Sequence, residues 1–234
     1  MVYTHLQSML SRPILRAAAL CCALVGAGCA STQPQPIASY MEMTDQDEAF
    51  ARGAGREPTA NTLYALAKLL TAQEKEFEAE LVLKNCIERH PHYLPSYNEL
   101  ADLYVRQRKL DKALATIDAG LARSPNDPVL HNNKGMCHVL AERFSDALSE
   151  FTIASDAHPD DSRLVANKAM AAGMLGNYDE SRNLYKTIVP PGEAHYNLGV
   201  LCQARGDEEQ ADIEFAMAKL YGVPHTKFYE LDVD

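Results

Sequence analysis

Cysteine, histidine and paired acids are the side chains of this chain that could do chemistry, and their spacing argues against most of it. There are 6 cysteines, Cys21, Cys22, Cys29, Cys86, Cys137 and Cys202. No two form a C-x-x-C pair, so neither a zinc knuckle nor a dithiol redox centre is expected, and the scattered thiols do not make a disulfide framework. His90 and His92 flank a proline with metal-like spacing, but further convergent ligands are lacking. His131 and His138 are seven apart, at positions that suit packing. Asp160-Asp161 reads as a turn in which Asp caps a helix. There is no G-x-S-x-G, P-loop or dinucleotide-binding fingerprint. The expectation is a chain that is not an enzyme, binds no metal and needs no cofactor.

One cysteine is different. Arg12 and Arg16 precede an uncharged apolar run, Ala17 to Ala27, too short for a permanent membrane span and right for the apolar core of a secretory signal. The run ends in Val25-Gly26-Ala27-Gly28-Cys29. Small residues followed at once by cysteine resemble the lipobox of bacterial lipoproteins. That resemblance implies a signal peptide at 1–28, removed so that Cys29 becomes the first residue and carries a diacylglycerol. Ala30 in the next place, where retention signals have Asp, implies sorting to the periplasmic face of the outer membrane. Residues 29–59, with STQPQP and GAGRE, read as a tether, with a short helix expected around Asp45–Arg52. Beyond residue 28 the chain has 20 basic and 32 acidic residues, a net −12, since Arg12 and Arg16 are the only charges before it. Such a surface repels phosphate backbones, so no nucleic-acid partner is expected.

The elements that position everything else repeat. His90-Pro91, Ser124-Pro125 and His158-Pro159 recur every 34 residues. With each proline at position 32, units run 60–93, 94–127 and 128–161. Position 8 is then Ala67, Ala101 and Gly135; position 20 is Ala79, Ala113 and Ala147; position 24 is Leu83, Ile117 and Phe151; position 27 is Cys86, Gly120 and Ala154. Small residues let two antiparallel helices approach, bulky ones fill between them, and proline stops the second helix. A fourth unit, 162–191, is cut short at Pro190-Pro191, and a fifth, 192–221, restores the pattern with Gly199, Ala211, Phe215 and Ala218; a tail, 222–234, follows. The spacing resembles the tetratricopeptide repeat, which implies an all-α, right-handed superhelical solenoid of about five helix-turn-helix units with a concave face.

In that family, positions 2, 5, 6, 9, 12 and 13 of the first helix line the concave face. Here they include Asn98, Asn132, Asn133, Asn167 and Asn197, with Met136, Met170, Met174 and Tyr196. An amide both donates and accepts, so a row of Asn could hold an extended chain by its backbone whatever its sequence, and Met adapts to irregular apolar partners. Two readings stay open: a groove for a peptide client, or solvated Asn and residues that pack on the next unit. Only Lys68, Arg106 and Arg163 bring positive charge to the face, each in a different unit, which speaks against a carboxylate clamp.

Phrases such as PNDPVLHNNKGM, HPDDSRLVANKAM and GEAHYNLGVLCQARGDEEQA resemble the TadD-type lipoproteins of Flp/Tad pilus assembly. That implies a pilotin-like scaffold for a secretin subunit of the outer membrane, anchored through Cys29 and gripping its client with the Asn row. A periplasm-facing scaffold for another envelope machine, such as outer-membrane protein assembly or cell-wall synthesis, is the alternative.

Overall fold

A computed structural model describes residues 57–223 of the chain. The proposed signal peptide, Cys29, the short helix expected at Asp45–Arg52 and the tail beyond 223 lie outside the described residues.

Ten helices and no strands occur among the described residues: α1 Ala60–Ala72, α2 Glu76–Arg89, α3 Leu94–Arg106, α4 Leu110–Leu121, α5 Pro128–Leu140, α6 Phe144–Ala157, α7 Ser162–Met174, α8 Tyr178–Lys186, α9 Pro191–Arg205 and α10 Glu208–Leu220. Consecutive helices pair, and each pair packs on the next, giving an all-α superhelical solenoid. The first helices of the first four pairs begin 34 residues apart.

Local chemistry sets these boundaries. Thr59, Asp127, Asp161 and Asp207 each accept a backbone N–H of the helix they cap. Every turn between paired helices uses one residue in the left-handed region, always at position 15: Glu74, Arg108, Glu142, Gly176 and Gly206. The next residue's N–H then closes back on the carbonyl of position 11, as from Lys109 to Tyr104 and from Arg143 to His138. Only the last two turns place glycine where L residues are strained.

Within a pair, position 8 meets position 24. A Cβ on Gly135 would lie 2.5 Å from the Phe151 ring, and one on Gly199 2.7 Å from Phe215. The two glycines therefore face the two phenylalanines, whereas Ala67 and Ala101 stand where position 24 is Leu83 or Ile117. The core divides into two clusters. Leu83, Tyr97, Leu103, Ile117 and Leu130 belong to the first; Phe151, Met170, Tyr185, Leu198 and Phe215 belong to the second.

Candidate functional site

The first helices α3, α5 and α7 bring their Asn side chains into one chain of amides. Asn167 Nδ2 donates to Asn132 Oδ1 at 2.7 Å, Asn132 Nδ2 to Asn133 Oδ1 at 3.3 Å, and Asn133 Nδ2 to Asn98 Oδ1. All three bonds point the same way, from the fourth unit toward the second. Aligned amide dipoles polarise one another, so the row has a direction. Asn197 is buried and stands apart from these three bonds.

The sequence leaves two readings open for this face, and the structure divides the residues between them. Asn98, Asn132, Asn133 and Met136 are partly accessible, but Asn167, Met170, Met174, Tyr196 and Asn197 are buried. Met170 is 0% exposed and shares the second core cluster with Val139, Met174, Tyr196 and Val200. The reason is position along the stack. Helix α7 packs on α5, α6, α8 and α9, so Asn167, Met170 and Met174 meet protein, whereas Asn98 and Asp102 of α3 keep contact with solvent. The accessible stretch is centred on the second and third units.

The same face holds a buried acid that sequence reasoning passed over. Glu99, at position 6 of the second unit, is 5% exposed and pairs with Lys68 of the first unit at 3.1 Å. Its place in the Asn register was the signal that could have found it. The other two cations of the face also hold acids of this chain: Arg106 reaches Asp102 at 3.4 Å and Arg163 reaches Asp161 at 2.8 Å.

His131, His195 and His90 are held by partners within the array. His131 lies between the Glu150 carboxylate (2.6 Å) and the Pro125 carbonyl (2.8 Å), and His195 bonds Glu214 at 2.7 Å. His90 Nε2 is 3.1 Å from the Pro58 carbonyl. Burial pushes the Cys137 thiol up to about 11 and the Cys202 thiol up to about 12, so neither forms a reactive thiolate. Lys134, half-buried, reaches Asp118 at 2.9 Å and Glu150 at 3.2 Å. Burial opposes its charge, but the two acids outweigh burial and raise its pKa.

Two family models, both of the tetratricopeptide repeat, match residues 70–136 and 138–192, together more than half of the chain. The chain belongs to the tetratricopeptide-repeat family. Arrays of this family are protein-interaction scaffolds, and that coarse function is this chain's. A tetratricopeptide repeat protein from Parabacteroides merdae superposes with a TM-score of 0.58 at 18% identity, covering 76% of this chain and 71% of its own. YrrB, described as a TPR protein with an unusual peptide-binding site, gives 0.59 at 18% identity over 78% of this chain and 95% of its own. MamA gives 0.56 at 11% identity over 68% and 89%. At these identities the likeness is one of fold.

One expectation is overturned. A match at 27% identity over 142 residues is to the human protein O-mannosyl-transferase TMTC1; it takes in 58% of this chain and 16% of the relative. The absence of catalytic motifs predicts a chain that is not an enzyme, yet a similar stretch occurs in a protein named as a transferase. Repeats without catalytic residues therefore do not set a chain apart from enzymes. The chain spans about a sixth of that relative's length.

Proposed function

We propose that this tetratricopeptide array is a lipid-anchored, periplasm-facing scaffold that holds an extended client segment along α3 and α5, and that the client is a secretin subunit of a Flp/Tad-type pilus. The observation that carries the docking mode is the one-directional amide chain from Asn167 to Asn98, which ends on an accessible stretch with Met136 beside it. An extended backbone presents donors and acceptors in alternation, and a row of amides at repeat spacing can answer both. The fold-level likeness to YrrB, described as having a peptide-binding site, is consistent with this use. Support for the anchor is the apolar run closing on Gly28-Cys29, and support for the client is the likeness of residues 94–220 to TadD-type lipoproteins.

The test has two arms. Asn98→Ala with Asn133→Ala should weaken crosslinked capture of the client roughly tenfold while far-UV circular dichroism is unchanged; undiminished capture defeats the docking mode. A deletion strain should lose secretin multimers from the outer membrane, and Cys29→Ser should release the protein from the membrane and reproduce that loss. Normal multimers in the deletion strain would move the scaffold to another envelope machine.

A further inference from the structure

Arg106 is the one cation of the concave face with a donor left over. It lies two turns beyond Asn98 on α3, about 12 Å along the axis. Side chains lean toward the N-terminus of their helix, and that of Arg106 returns one turn, placing Nη1 3.4 Å from Asp102 Oδ2. Its Nη2 is buried and has no hydrogen-bond partner among the described residues. A charged donor shut away from water without an acceptor is costly to keep, so this guanidinium gains by turning to an acceptor that a partner brings. The other two cations are committed. Lys68 is the partner of Glu99, an acid 5% exposed that cannot be left alone, and Arg163 holds Asp161 through both Nε and Nη2. Asp102, by contrast, is half exposed, and a bridge of that kind between residues four apart on a helix contributes little. Across the groove α5 offers carbon in place of charge: Met136 is partly accessible, and Val129 is 52% exposed.

We infer, resting on the docking mode proposed above, that the client segment presents an acidic side chain to Arg106 and, two residues away in its own sequence, an apolar side chain to Met136. The levels along the helices agree. Asn98 and Asn133, which bond each other, hold the client backbone, and the Arg106 guanidinium and Met136 both lie about one turn further on. That rise of about 5 Å is the reach of a Glu or a Leu side chain. The spacing across the groove agrees as well. Packed helix axes stand about 8–10 Å apart, and side chains on one side of an extended chain about 7 Å, so residues i and i+2 of the client meet α3 and α5 together. The guanidinium fork keeps Asp102 on Nη1 and takes the client carboxylate on Nη2. Asp102 then opposes the incoming charge, so the acid is accepted only where Arg106 meets it directly.

A phage-displayed library of random dodecapeptides, selected on the full chain in detergent, tests this. Captured peptides should be enriched in Asp or Glu two places from an apolar residue. Selection on Arg106→Gln should lose the acid and keep the apolar preference. For one captured peptide, Arg106→Gln and the exchange of the peptide's acid for its amide should each weaken binding roughly tenfold, and together no more than either alone. Asp102→Asn should tighten binding roughly twofold, and far-UV circular dichroism of both protein variants should match the parent. Additive losses, weaker binding by Asp102→Asn, or an acid preference that survives Arg106→Gln overturn the pairing with Arg106 and leave the docking mode standing. No capture, or capture that Asn98→Ala with Asn133→Ala does not weaken, overturns the docking mode and the acid preference with it.

Discussion

The third and fifth helix pairs solve the same local problem and differ in where they find the last partner. Both put Gly at position 8 against Phe at 24, and both put His at position 4 against Glu at 23. In the third pair Glu150 stays partly accessible and is met by His131 and by Lys134 of its own unit, with Lys134 also reaching back to Asp118. In the fifth pair Glu214 is 1% exposed, and its cation comes from the unit before: Arg182 Nη2 at 2.5 Å, joined by His195 at 2.7 Å and Gln210 at 2.9 Å. Position 7 there is Leu198, so no lysine is at hand. A carboxylate inside one unit is thus stabilised by a neighbour, which ties the stability of the last pair to the presence of the fourth.

Removing each acid tests that difference most strongly. Glu214→Ala leaves Arg182 and His195 facing a buried gap, and its cost should be about 3 kcal/mol. Glu150→Ala, at a wetter site, should cost about 1 kcal/mol. Urea denaturation of the two variants decides it; equal costs would mean that the inter-unit origin of the cation is immaterial.

The glycines come next. Gly135→Ala and Gly199→Ala each drive a methyl group into a phenyl ring, at 2.5 and 2.7 Å, and should cost about 1–3 kcal/mol by overpacking. Combining Gly135→Ala with Phe151→Leu recreates the Ala67/Leu83 solution of the first unit and should recover part of the loss. A double-mutant cycle with no coupling would show that the two positions are not matched in volume.

Acid should separate the two regions in sequence. Burial first, then Arg143, holds the pKa of His138 in α5 below its ordinary 6.5. The unfolded chain then takes up a proton that the folded one refuses, so stability starts to fall as pH drops below about 6.5. Burial pushes Glu214 up, but Arg182 and His195 outweigh it and leave its pKa below the ordinary 4.5. The stability from that cluster is complete above about 4.5 and is lost as pH falls through the lower, folded value. His138→Leu should flatten the first limb of a stability–pH profile, and Glu214→Gln the second. A profile in which either variant flattens the other limb would reverse the assignment.

The fold was legible because its determinants recur in register. Ala79, Ala113 and Ala147 at one position, and a proline twelve residues after each, require paired helices whatever their surroundings. The site was less legible because exposure is set by the stack and not by the register. Asn133 and Asn167 occupy equivalent positions, and the first is partly accessible while the second is buried. The same limit hid the Glu214 cluster: Arg182 sits 32 residues away, in a different unit, and only the packed array brings the two together.

The smallest effect sharpens the comparison at the turns. Position 15 is left-handed in all five pairs, but Arg108 takes it at φ 59° where Gly206 takes it at φ 82° with nothing within 4 Å of a would-be Cβ. An L residue in that region costs about 1–2 kcal/mol, and glycine gives back about 0.5–1 kcal/mol through the entropy of the unfolded chain. Arg108→Gly should therefore stabilise by about 0.5 kcal/mol, whereas Gly206→Ala should destabilise by a similar amount or more. Thermal melts of both variants check the pair of signs. If both destabilise, the Arg108 turn is held by contacts of its side chain that offset its backbone strain, and the left-handed requirement of the early turns is weaker than that of the late ones.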